Sequence, residues 1–258
     1  MTLDASSPAK LNAANELYDI QPSGVITVRL NQPGNANVLA LPEAVVPLDV
    51  LQAINRLCAD RGLLHISDEA YALFGHDSAA LWSPGSAPGS GAHTVTLGSL
   101  SKSHGMAGWR LGYAAAPRTL MAELAKVQDT ILICPPRLIQ QAALGALEAG
   151  ADWCRARVST LTAHRHLVLD ALDQPGVPWR LLGPADGAFY GLLQLDSALS
   201  SDAAMERLIR DHRVALVSGS SFGLSGCCLR LSYGMLGSAE LSEALDRLVT
   251  GLWSLSRL

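Results

Sequence analysis

The chain has 258 residues, 49% of them hydrophobic, enough to bury a sizeable core as one large domain or two smaller ones. Charged residues make up only 16%, the net charge is −4 and there is no lysine-rich run, which argues against nucleic acid as a partner. No apolar stretch reaches the roughly 18 residues that span a bilayer, and the opening "MTLDASSPAK" lacks the basic-then-apolar pattern of a secretory signal, so a soluble cytoplasmic protein is expected. "GVITVRLN" (24–31) is a β-rich run that ends in the turn-rich "NQPGNAN". A helix follows within residues 42–62, with Val46, Leu51, Ile54, Leu57 and Cys58 near helical spacing and Gly62 as its stop. "LLHIS" (63–67) is a second strand and runs into the acidic pair Asp68-Glu69. "HTVTLGS" (93–99) is a third and "RLGYAAA" (110–116) a fourth. A helix near 118–130 carries Leu120, Leu124 and Val127 on one face, and another runs from Pro135-Pro136 to about Glu148, with Gly150 past its end.

Short apolar strands alternating with amphipathic helices predict an α/β layer with a mostly parallel sheet over residues 1–150. Functional residues of such sheets gather where strands end. Here three strands end in polar clusters, "NQPGNAN", "SDEAY" and "SLSKSHG". The second half differs. A long helix at 152–174 precedes "GAFYGLLQL" and "CCLRLSYG", two strand-like runs flanking a helix near 202–212, and the chain closes with a helix at about 238–254. This pattern predicts a smaller α+β domain over 151–258.

The chemistry concentrates in "TLGSLSKSHGMAGWRLGY" (96–113). Only three lysines exist, Lys10, Lys102 and Lys126, and one of them sits here between serines. A lysine used as a nucleophile needs its proton removed, by burial or by nearby positive charge such as Arg110. Ser99, Ser101 and the surrounding glycines suit close approach of backbone to an anion such as phosphate. "SLSK" matches the Ser-x-x-Lys of serine β-lactamases, but the Lys-Thr-Gly those enzymes require is missing. A Walker A loop needs glycine directly before the lysine, where this chain has Ser101. Asp68 closes an apolar strand, which predicts a buried carboxylate in need of a partner, either a protonated ring nitrogen or the helix that it caps. Tyr71 is placed to reach the same ring or to serve as a core edge. Arg230, inside "CCLRLSYG", either faces water by strand alternation or meets a carboxylate with its planar fork. The five cysteines have no CxxC spacing, against a disulfide framework or a zinc site.

Together these residues resemble the fold-type I pyridoxal-phosphate enzymes, specifically the class I/II aminotransferases. The resemblance is ordered and covers nearly the whole chain. It runs through "SDEAY", then Ser-x-Ser-Lys with Arg110 eight residues on, then Leu-Arg-Leu-Ser. Asp68 and Lys102 are 34 residues apart (102 − 68), and Lys102 and Arg230 are 128 apart (230 − 102), separations similar to the family's. The resemblance implies that Lys102 forms the internal aldimine with pyridoxal 5′-phosphate and shuttles the substrate proton. It implies that Asp68 pairs with the pyridinium nitrogen, Tyr71 donates to the ring oxygen, and Ser99, Ser101 and Arg110 hold the phosphate. Arg230 would clamp the substrate carboxylate. Asn35, in an altered version of the family's Asn-Pro-Thr-Gly turn, would contact the ring oxygen. The activity implied is transfer of an amino group between an amino acid and a 2-oxo acid, by a homodimer. The family carries a further N-terminal segment ahead of the first matching strand, so the chain resembles its C-terminal two-thirds. A lyase, racemase or cyclising reaction on the same fold, or an inactive fragment, are the alternatives the residues leave open.

Overall fold

The computed structural model describes residues 18–20, 26–28, 46–77 and 82–258. These fall into two compact units, one built on Val46–Gly75 and Ala80–Ala156, the other on Arg157–Leu258, to which His76 and Asp77 also belong. The expected first strand is described over β2 (Ile26–Val28), which pairs antiparallel with β1 (Tyr18–Ile20).

In the first unit, α1 (Leu48–Arg61) buries Asn55 and Cys58 and stops at Gly62, whose φ of 63° is the left-handed conformation that glycine adopts without a Cβ penalty. It leads into β3 (His65–Asp68), which lies parallel to β4 (Thr94–Ser99), with Asp68 opposite Leu97. The partner on the other side, β5 (Gly112–Ala115), is antiparallel to β4, so the described sheet is mixed rather than mostly parallel. The cause is the short link. A parallel return needs a crossover of a dozen or more residues, usually a helix. Residues 100–111 hold only the one-turn α2 (Leu100–Ser103) and a 3₁₀ turn, Ala107–Trp109, and the chain doubles straight back. The link is anchored where Leu100 and Met106 are buried against Ala143. Next come α3 (Met121–Ile131), exposed along its length, and α4 (Arg137–Leu172), broken at Gly150 by non-helical angles of φ 72° and ψ −177°.

The second unit is a four-stranded antiparallel sheet in the order β6-β7-β9-β8, from β6 (Trp179–Leu181), β7 (Tyr190–Leu195), β8 (Val217–Ser218) and β9 (Cys227–Ser232). Alternation puts Leu193 and Leu195 of β7 and Cys227, Leu229 and Leu231 of β9 into one core. That core is closed by Ala204 and Leu208 of α5 (Ser201–His212) and by Leu241, Leu245, Leu248 and Leu252 of α6 (Ser238–Leu255). Val168 and Leu172 from the end of α4 complete it.

A polar hub ties the loop before β7 to α4. His76 is 1% exposed. Its Nε2–H donates to the Ala188 carbonyl at 2.6 Å, and its Nδ1 lies within hydrogen-bond distance of the Thr162 hydroxyl, 2.9 Å away. Burial pushes its pKa down, and the nearby Arg165 adds to this against the opposing pull of the Ala188 carbonyl. Arg165 donates to Asp77 at 2.8 Å and to the Pro184 carbonyl at 3.0 Å.

Candidate active site

The carboxyl ends of the parallel pair β3 and β4 bring most of the expected residues together. Asp68 is the last residue of β3. It is exposed rather than buried, because strand alternation puts it on the same face as Ile66, itself 46% exposed, and not with the buried His65. Its Oδ1 accepts from the Ala70 amide at 3.1 Å, which closes the turn carrying Tyr71. Tyr71 is half-buried, and its ring meets Phe74 edge-on at 6.0 Å.

From the end of β4, Ser99 caps α2, its hydroxyl accepting from the Ser101 amide at 3.2 Å. Because Leu100 and Ser103 are buried, Lys102 faces outward and is exposed, with Nζ 6.0 Å from the Tyr71 ring centre. Ser99 lies opposite Gly112 across the β4–β5 ladder. A Cβ on Gly112 would sit 2.7 Å from the Gly98 carbonyl oxygen, so this close approach requires glycine. Arg110, two residues before, has the left-handed φ of 53°. Its guanidinium folds back on its own turn and donates to the Ala107 carbonyl at 2.7 Å. Asp68, Tyr71, Ser99, Ser101, Lys102 and Arg110 thus share one unit. Arg230 lies in the other, and Asn35 falls outside the described residues.

His104, Trp153 and Tyr113 had no sequence signal of their own. Ser103 Oγ donates to the Ser99 carbonyl at 3.0 Å, so His104 Nδ1–H donates to Ser103 at 2.8 Å and Nε2 is left as an acceptor. That Nε2 is buried and has no hydrogen-bond partner among the described residues. The His104 ring stacks on Trp153 at 5.8 Å. His104 lines a cleft of about 180 Å³ with Glu69, Ser99, Ser103 and Tyr113, beside Lys102 rather than around it. The signal for Tyr113 is Gly98, its cross-strand partner, since a Cβ there would strike the ring.

Strand alternation puts Arg230 on the face away from the core, but two rings cover part of it. It is half-buried, its guanidinium carbon lies 4.4 Å from the ring centres of both Tyr190 and Phe222, and its Nε is buried with no hydrogen-bond partner among the described residues.

Residues 43–248 match the family described as aminotransferase class I and II. The chain belongs to the class I and II aminotransferases. Members of this family generally depend on pyridoxal phosphate. Among its relatives, the arginine–pyruvate transaminase of Pseudomonas aeruginosa is 37% identical over 221 residues, 85% of this chain and 54% of that protein. An aromatic aminotransferase of Arabidopsis thaliana is 34% identical over 240 residues, 92% of this chain and 57% of that one. The crystal structure of an aromatic aminotransferase from Pyrococcus horikoshii superposes with a TM-score of 0.74 at 33% identity, over 83% of this chain and 58% of that one. This aminotransferase chain therefore spans a little over half the length of the relatives it matches. No described helix is long and apolar enough to cross a membrane.

Proposed function

We propose that the chain works as a pyridoxal-phosphate-dependent aminotransferase, moving an amino group between an amino acid and a 2-oxo acid. The observation that carries this reading is the placement of Lys102. It follows the end of β4, with Nζ 6.0 Å from the ring of Tyr71, in the turn that follows Asp68 at the end of the neighbouring parallel strand. The side chains present fit the cofactor. An outward-facing amine, an exposed carboxylate with a second oxygen to spare, two hydroxyls and a guanidinium match an aldehyde, a protonated ring nitrogen and a phosphate.

When bound, the cofactor supplies an aldehyde carbon that takes up amines and a ring that draws electron density from the substrate α-carbon. Lys102 Nζ would hold that carbon and, once released as a free amine, would move the proton at the substrate α-carbon. The Asp68 carboxylate keeps a proton on the ring nitrogen, and the Tyr71 hydroxyl donates to the ring oxygen, a role that Asn35 shares in this reading. Ser99 and Ser101 donate to the phosphate, and Arg110 turns from the Ala107 carbonyl to meet it. Arg230 binds the substrate carboxylate in bidentate fashion and so fixes the bond to be broken. The homodimer, the cytoplasmic setting and the division at residues 150 and 151 belong to the same reading, and sedimentation tests the first.

Titration with pyridoxal phosphate should produce the absorbance band of a protonated imine. Borohydride reduction should then add the cofactor mass to the peptide containing Lys102. Lys102→Ala should lose both. A band that persists in Lys102→Ala overturns the assignment.

A further inference from the structure

An arginine that binds a carboxylate has to be held in one orientation without being neutralised. A carboxylate partner would hold Arg230 but would also cancel its charge and compete with the ligand. Among the described residues no carboxylate pairs with it, and two aromatic rings contact it instead, each 4.4 Å from the guanidinium carbon. The electron-rich face of a ring attracts a cation and leaves its charge in place.

The fold delivers both rings. In the β7–β9 register Leu192 opposes Arg230 and Tyr190 opposes Ser232, so Tyr190 stands diagonally beside Arg230 on the face away from the core. Phe222 ends the 3₁₀ turn Gly219–Phe222, which follows β8, where Val217 opposes Arg230 from the other side. That turn is pressed onto β9. A Cβ on Gly219 would lie 2.6 Å from Cys228 Cβ and 2.7 Å from the Cys228 carbonyl oxygen, which fixes where Phe222 projects.

We propose that Tyr190 and Phe222 are positioning residues that hold the Arg230 guanidinium, uncancelled, for a ligand carboxylate. This rests on the reading of Arg230 as the carboxylate-binding residue. It adds that the receptor is assembled within the second unit and is competent before any cofactor binds. The buried Nε, with no hydrogen-bond partner among the described residues, marks the guanidinium as having donor capacity that those residues do not use.

The test uses the 258-residue chain without cofactor, with pyruvate as the probe. Affinity is read by calorimetry, and the Arg230 Nε–Hε resonance by ¹⁵N–¹H NMR. Tyr190→Leu and Phe222→Leu should each weaken binding about tenfold, the loss of one desolvated cation–π contact. Tyr190→Phe and Phe222→Tyr should restore it. In the parent chain the resonance should be shifted upfield by the rings and should move on titration. If both leucine variants bind as the parent does while Arg230→Met abolishes binding, the positioning role is overturned. A parent resonance at its random-coil position overturns it too, with no dependence on how the variants fold. If the cofactor-free parent fails to bind, the pre-formed receptor proposed here is overturned; if Arg230→Met binds unchanged, the carboxylate reading of Arg230 falls instead.

Discussion

Replacing Gly112 with alanine perturbs the candidate site without touching any side chain assigned to it. The added Cβ would lie 2.7 Å from the Gly98 carbonyl oxygen and 3.8 Å from Ser99 Cα. The obstacle is backbone, so no rotamer change relieves it, and β5 must move away from β4 by several tenths of an ångström. Overpacking of this kind costs roughly 1–3 kcal/mol. Here β5 is the edge of the described three-stranded sheet and can give, which argues for the lower half of that range, about 1–1.5 kcal/mol. The displaced ladder pair is Ser99 with Gly112, so Ser99 and the Lys102 turn shift with it. We expect Gly112→Ala to lower the urea midpoint and to weaken pyridoxal-phosphate uptake. Gly108→Ala, in the same link but with nothing within 4 Å of its Cβ, should change neither. The two variants are compared by urea denaturation followed by tryptophan fluorescence and by cofactor titration. If Gly112→Ala matches Gly108→Ala in both, the strand-approach argument is wrong.

Gly251→Ala, in α6, should destabilise the second unit by about 1 kcal/mol. The helix-propensity gain of about 1 kcal/mol is outweighed by a Cβ 2.6 Å from Leu208 Cδ2 in the core and 3.0 Å from the His212 ring. Gly145→Ala, in a helix with open space around it, should gain up to about 1 kcal/mol in the same urea assay. Leu208→Ala removes a fully buried side chain and should cost about 2–5 kcal/mol. Stability should fall as pH drops below the ordinary histidine range. Burial lowers the pKa of both His65 and His76, the former further depressed by His93, so the unfolded chain takes up protons there that the native chain refuses. Unfolding midpoints that are equal at pH 7.5 and pH 5.5 would contradict this.

The helices and longer strands were legible because they have length and period. Gly62 and Gly150 mark real stops, and the run at Tyr190–Leu195 carries the alternation that buries Leu193 and Leu195. The strands Trp179–Leu181 and Val217–Ser218 were not, since two or three residues hold no period to detect. Periodicity also says which face is apolar and not whether that face is covered. Leu124 and Val127 lie on the expected face of α3, yet they are 40% and 56% exposed. At the candidate site, motif and strand end single out Lys102, Ser99 and Asp68 as candidates; the structure puts Lys102 near Tyr71 and leaves Asp68 exposed where a buried carboxylate is expected. The surroundings of Arg230 could not. Leu-Arg-Leu places it on the face away from the core, but the rings that meet it come from β7 and from the turn after β8, and pairing alone brings those to β9.

The alternation in β9 also sets which insertions and deletions the gene can accept. Cys227, Leu229 and Leu231 point into the core, while Cys228, Arg230 and Ser232 point away. Deleting one codon within the strand ahead of Arg230 would move the guanidinium onto the hydrophobic side and turn the leucines outward, exchanging every position at once. Deleting two would restore the faces and shift the arginine along the strand by one repeat, away from both rings. Length changes that spare this residue are therefore confined to the loops at either end, and a natural or engineered library should show its indels there.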